Sequence, residues 1–136
     1  MNKRNNLLMI GLILGATIQI NAMSRTPVTL ESELKASIVV QFTDPKTNKS
    51  KSVVLSNGKS YSVGTYGDLM ARELFIAEGD SFKQIEGWRK PIAHWYSEHY
   101  GEASSMIIVF AENKMIVCQF FGPNNKFLGG VELGHF

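Results

Sequence analysis

One cysteine, Cys118, serves all 136 residues, so no intrachain disulfide can form and stability has to come from packing. The thiol sits in the apolar run Met115 to Phe121 (MIVCQFF), with no His beside it to lower its pKa. That setting reads as a small buried hydrophobe and not as a nucleophile. Membrane-length apolar runs are missing too: Leu7 to Ile18 (LLMIGLILGATI) ends at Gln19 after 12 residues, whereas crossing the hydrocarbon core takes roughly 20. Catalytic signatures are equally scarce. There is no phosphate-cradling glycine loop, and Ser60-Tyr61-Ser62 lacks the flanking glycines of a serine nucleophile elbow.

What the first 22 residues do contain is the layout of an export signal. Lys3 and Arg4 form a positive head, the apolar run follows, and Gln19 to Ala22 form a polar exit ending in a small residue. The expected organisation is a signal peptide over 1–22, an N-terminal extension over 23–35 and a single β domain over 36–136. Retention of the leader as an anchor is the rival reading. Cleavage after Ala22 would leave a product that is secreted or periplasmic, with no stable membrane insertion. Of the 14 Lys and Arg, two lie in that leader, so 12 remain against 12 Asp and Glu. With no net field to attract a polyanion, nucleic acid is not an expected partner.

Beyond residue 35 the chain alternates short β-rich runs with turn residues. Ala36 to Thr43 (ASIVVQFT) leads into the loop Asp44-Pro45-Lys46-Thr47-Asn48. Lys51 to Ser56 and Lys59 to Val63 flank Asn57-Gly58, which predicts a two-residue hairpin. Leu69 to Ala77 (LMARELFIA) is ambiguous because Asp68 could cap a helix; the reading adopted is a strand paired with Phe82 to Ile85. Ser105 to Ala111, Met115 to Phe121 and Lys126 to Leu133 form a three-stranded meander. Its first two strands, apolar on both faces, are expected to be central and covered on both sides. The fold class is therefore all-β and mainly antiparallel, a small sandwich or partly open barrel of about seven or eight strands.

One segment departs from the strand pattern. In Pro91 to Tyr100 (PIAHWYSEHY), Ile92, Trp95, Tyr96 and His99 fall at i, i+3, i+4 and i+7, which predicts one short helix near 91–100. His94 and Glu98, at i, i+4 on its outer side, are the candidates for an acid–base pair in the alternative reading, a small extracytoplasmic hydrolase. His94 and His99 are five apart, roughly 140° around a helix, so they cannot chelate one ion together, and no metal and no cofactor are expected. The aromatic and basic residues nearby offer a different function. Trp88, Arg89, Trp95 and Tyr96 combine apolar area with polar tips and a cation, as a recognition surface for a protein, peptide or glycan would. The same rings would also serve as core anchors in a domain without disulfides. The favoured expectation is a non-catalytic binding module.

Overall fold

Period-two alternation of apolar and polar side chains builds nine strands in two sheets in the computed structural model, which describes residues 22–136. In chain order the strands are β1 (Pro27–Ser32), β2 (Ile38–Thr43), β3 (Ser50–Leu55), β4 (Ser60–Thr65), β5 (Glu73–Glu78), β6 (Ser81–Ile85), β7 (Ser105–Phe110), β8 (Met115–Phe121) and β9 (Phe127–His135). Helix α1 (Tyr66–Met70) precedes β5, α2 (Arg89–Glu98) precedes β7, and a 3-10 turn at Pro123–Asn125 precedes β9. One sheet runs β4-β1-β7-β8-β9 and the other β3-β2-β5-β6. Every pairing is antiparallel except β1 with β7. The all-β sandwich expected from the sequence is present, with nine strands in place of seven or eight.

The inner faces supply the core. Val28 and Leu30 of β1, Met106 and Ile108 of β7, and Ile116, Cys118 and Phe120 of β8 are buried in one cluster with Val40, Phe42, Leu55, Leu74 and Ile76 of the second sheet. Fully burying such a side chain contributes roughly 1.5–3 kcal/mol, which is how the fold dispenses with disulfides. Cys118 is 0% exposed within that cluster, as its apolar setting suggested. The meander β7-β8-β9 forms as read, with neither β7 nor β8 at an edge. Coverage of both faces holds only for part of it: Val109 is buried, but β8 alternates buried and half-buried positions along its whole length.

Three local readings change. Residues 27–32, read as part of an N-terminal extension, form β1 inside the five-stranded sheet, between β4 and β7. Asn57-Gly58 does make a tight turn, closed by Lys59 N–H donating to the Ser56 carbonyl at 3.1 Å, but it is not a hairpin. β3 pairs with β2 and β4 with β1, so the turn carries the chain from one sheet to the other. Only Gly58 has positive φ, at 78°, whereas the hairpin form of the turn needs it at both central residues; without that, the strands splay apart. The Asn57 side chain then ties the corner to the first sheet by donating to the Glu33 carbonyl at 3.3 Å.

The third change lies in the segment 69–77. Its beginning belongs to α1, and β5 starts at Glu73. Thr65 caps α1: its hydroxyl accepts from Asp68 N–H, and the Asp68 carboxylate accepts from Thr65 N–H, so two otherwise orphaned donors are satisfied reciprocally. Asp68 is thus a capping residue, acting from inside the helix. The β5–β6 hairpin itself forms as expected. Helix α2 begins two residues before the proline that suggested its start, and Pro91 sits harmlessly in a first turn whose N–H groups have no intrahelical partner.

Candidate functional site

The segment 88–100 is where residue chemistry pointed, and the fold sorts its side chains into core and surface. Trp88 and Tyr96 are 1% and 2% exposed, so their rings are packing elements and cannot present a recognition surface. Tyr66 of α1 meets Trp88 edge-on, with ring centroids 6.4 Å apart. Arg89 is held on several sides: its Nε donates to the Met70 carbonyl at 3.1 Å, its second guanidinium nitrogen donates to the Arg72 carbonyl, and Glu73 lies 3.7 Å away. The same guanidinium lies 4.5 Å from the centroid of the Trp88 ring. Arg89 therefore clamps the start of α2 to the α1–β5 connection through its Nε and one of its two terminal nitrogens.

Trp95 is half-buried and begins a chain of rings running into the core. His99 lies 4.7 Å from it, Tyr100 stacks on it at 6.1 Å, and Tyr100 stacks in turn on Phe120 at 4.7 Å. Tyr100 fits because residue 129 is glycine: a Cβ there would lie 2.2 Å from the tyrosine hydroxyl. The C-terminal end of α2 is thereby seated on β8 and β9. His94 and Glu98 are both exposed, as the helical spacing suggested. No hydrogen bond or ion pair joins His94 to another described residue; its recorded contact is an edge-on ring contact with Trp95 at 6.1 Å. Neither His94 nor Glu98 lines the cavities described below.

A concavity lies beside β6 and the C-terminal end of β9, with a volume of about 400 Å³. Ile38, Ile76, Ala77 and Phe136 line it with apolar surface. Phe136 is held there by its N–H, which donates to the Lys114 carbonyl at 3.0 Å, and by an edge-on contact with Phe110 at 5.5 Å. Three lysines, Lys35, Lys83 and Lys114, also line the pocket, with one acidic residue, Glu78. Among the described residues none of these four charges is ion-paired.

Lys83 is placed by register. It stands opposite Ile76 in the β5–β6 ladder, and Ile76 is a core residue, so Lys83 projects from the inner face of an edge strand. An inward-pointing lysine at a sheet edge discourages further strand pairing. Here it also puts a cation beside an apolar wall. The signal for it was available in the alternation Ser81, Lys83, Ile85, once Ile85 is known to point inward. Lys35, Lys114 and Phe136 arrive from remote loops and the last strand, and no sequence pattern connects them.

The titratable groups with displaced affinities lie elsewhere. Burial pushes the Cys118 thiol up to about 12, so it stays protonated and unreactive at neutral pH. Burial likewise pushes Tyr66 up to about 12, with Cys118 adding to the rise and the Arg89 cation opposing it. Asp68 is held below the usual carboxylate range by the hydrogen bonds from Thr65. Among the described residues no helix is long and apolar enough to cross a membrane, and no three His, Cys, Asp or Glu side chains gather as metal ligands. No protein-family model, curated protein or solved structure matches the chain.

Proposed function

We propose that this chain is an extracytoplasmic, non-catalytic binding domain whose ligand is an amphipathic acid, held in the pocket beside Lys83. The observation carrying the proposal is the inward-facing, unpaired Lys83 against an apolar wall, with Lys35 and Lys114 around the same space and Glu78 the one opposing carboxylate. An apolar body would displace water from Ile38, Ile76 and Phe136, and an acidic head would pair with ammonium groups that otherwise have only solvent. The volume lies within the range of small-molecule sites, roughly 300–1,000 Å³. Export rests on the composition of residues 1–22, of which 1–21 lie outside the described residues.

Calorimetric titration of the full chain with decanoate and with decanol tests the reading. Decanoate is expected to bind at least tenfold more tightly than decanol, since hydrogen bonds to charged groups contribute about 1.5–3 kcal/mol. Lys83→Ala should remove most of that preference, and Ile38→Trp should block both ligands by filling the pocket. Equal affinity for acid and alcohol would discard the charge argument. Decanoate binding untouched by both substitutions would discard the pocket.

A further inference from the structure

The opposite side of the sandwich carries a second and chemically different concavity. Two adjoining cavities, of about 210 and 390 Å³, share Phe42, Lys51 and Arg72. They lie where edge strand β3 of one sheet faces edge strand β4 of the other, because the first is lined by Ser50 and Lys51 and the second by Tyr61 to Gly64. β4 is hydrogen-bonded to β1 alone, so one backbone edge along Tyr61 to Gly64 has no strand partner.

Phe42, 3% exposed, closes the floor and stacks on Tyr61 with centroids 6.5 Å apart. Lys51 Nζ lies 5.4 Å from the centroid of the Tyr61 ring, which holds that cation at the groove. Arg72 is half-buried, yet its guanidinium makes no hydrogen bond and no ion pair to any described residue. Such a fork of donors rarely leaves water without a partner. Lys49 adds a third cation.

The carboxylates nearby are fewer than the cations. Asp44 lines the smaller cavity, and its Oδ1 accepts from Lys46 N–H at 2.9 Å. Asp68, which Arg72 influences electrostatically, accepts from both Thr65 N–H and the Thr65 hydroxyl at 3.0 Å. Local positive charge therefore exceeds negative charge in this groove, where Lys51 and Tyr61 face inward by register, opposite the core residues Phe42 and Leu30.

We propose that this seam binds an acidic oligosaccharide, with Arg72, Lys51 and Lys49 pairing with its carboxylates or sulfates. A short acidic glycan fits better than nucleic acid, because a few carboxylates or sulfates are within reach of a local patch of three cations, whereas the 12 Lys and Arg against 12 Asp and Glu beyond residue 22 provide no wider basic field for a continuous phosphate backbone. The site is independent of the pocket beside Lys83, which is lined by none of the same residues.

Titrating the full chain with a tetramer of uronic acid, a heparin tetrasaccharide, neutral maltotetraose and inorganic polyphosphate at two salt concentrations tests this. One or both acidic tetrasaccharides should bind, weaken as salt rises, and bind at least tenfold more tightly than maltotetraose; which one wins tells carboxylate from sulfate. Arg72→Gln should cost about tenfold and Lys51→Gln somewhat less, with Lys83→Ala having no effect. Lys49→Gln, at an exposed loop position, provides a second variant should Arg72→Gln fail to fold, and should itself weaken binding severalfold. Polyphosphate binding more tightly than both acidic sugars, maltotetraose binding equally well, or affinity unchanged in the folded variants would each overturn the proposal.

Discussion

At the scale of single residues, Cys118 shows how burial decides chemistry. A thiol with an ordinary pKa near 8.5 would be partly ionised in mild alkali, but in the core of this sandwich it is pushed up to about 12. The unfolded chain therefore releases that proton at lower pH than the folded chain does. Its contribution to stability is complete below about pH 8.5 and is lost as pH rises towards 12, with Tyr66 adding to the loss from about pH 10. Urea unfolding midpoints should be flat between about pH 7 and 8 and then fall, each such group contributing at most about 1.4 kcal/mol per pH unit. Cys118→Ala lowers stability at neutral pH through lost packing but should flatten the first part of that fall. An identical alkaline slope in the variant would assign the loss to other groups. Cys118 was legible as a buried residue from its neighbours in sequence, whereas Trp88 and Tyr96 were not separable into surface or core until the partners of α2 were known.

At the scale of elements, α1 is the most economical test of local logic, because a five-residue helix cannot sustain itself and depends on its cap and on its buried face, Tyr66 and Leu69. Thr65→Ala removes the hydroxyl half of the reciprocal cap and should cost about 1 kcal/mol in chemical denaturation. It should also let the Asp68 pKa rise towards its ordinary value, since that carboxylate loses one of the two donors that hold it down. Because a depressed carboxylate stabilises the fold above its ordinary pKa and ceases to as pH falls, the variant should also show a shallower decline in acid. An NMR titration of Asp68 with an unmoved midpoint would show that the cap is not what holds the carboxylate down. Helix α2 was readable from its 3.6-residue period. The turn at Asn57-Gly58 misleads because one dipeptide serves two turn types, and only the sign of φ at Asn57 separates a hairpin from a corner.

At the scale of the whole molecule, the parallel pairing of β1 with β7 joins the start of the domain to its last third. Val28 and Leu30 alternate with Thr29 and Glu31, so the strand pattern was present in the sequence; what obscured it was its separation from the other runs by residues 33–37. Deleting residues 23–35 should abolish cooperative unfolding and near-ultraviolet dichroism, because β4 loses its one partner in the sheet and β7 loses one of two. A truncated chain that still unfolds cooperatively would show that the remaining strands form a core without β1.

Local chemistry written along the chain determined the strands, the amphipathic helix, the loops and the buried thiol, since each depends on the alternation or composition of a few adjacent residues. Tertiary structure alone decided which strands are neighbours, that the two most buried aromatic candidates are core, and that basic residues from separate elements line two separate concavities. The reason is physical. Periodicity tells a residue which face it is on, but the occupant of the space opposite that face is set by how two sheets close over a shared core.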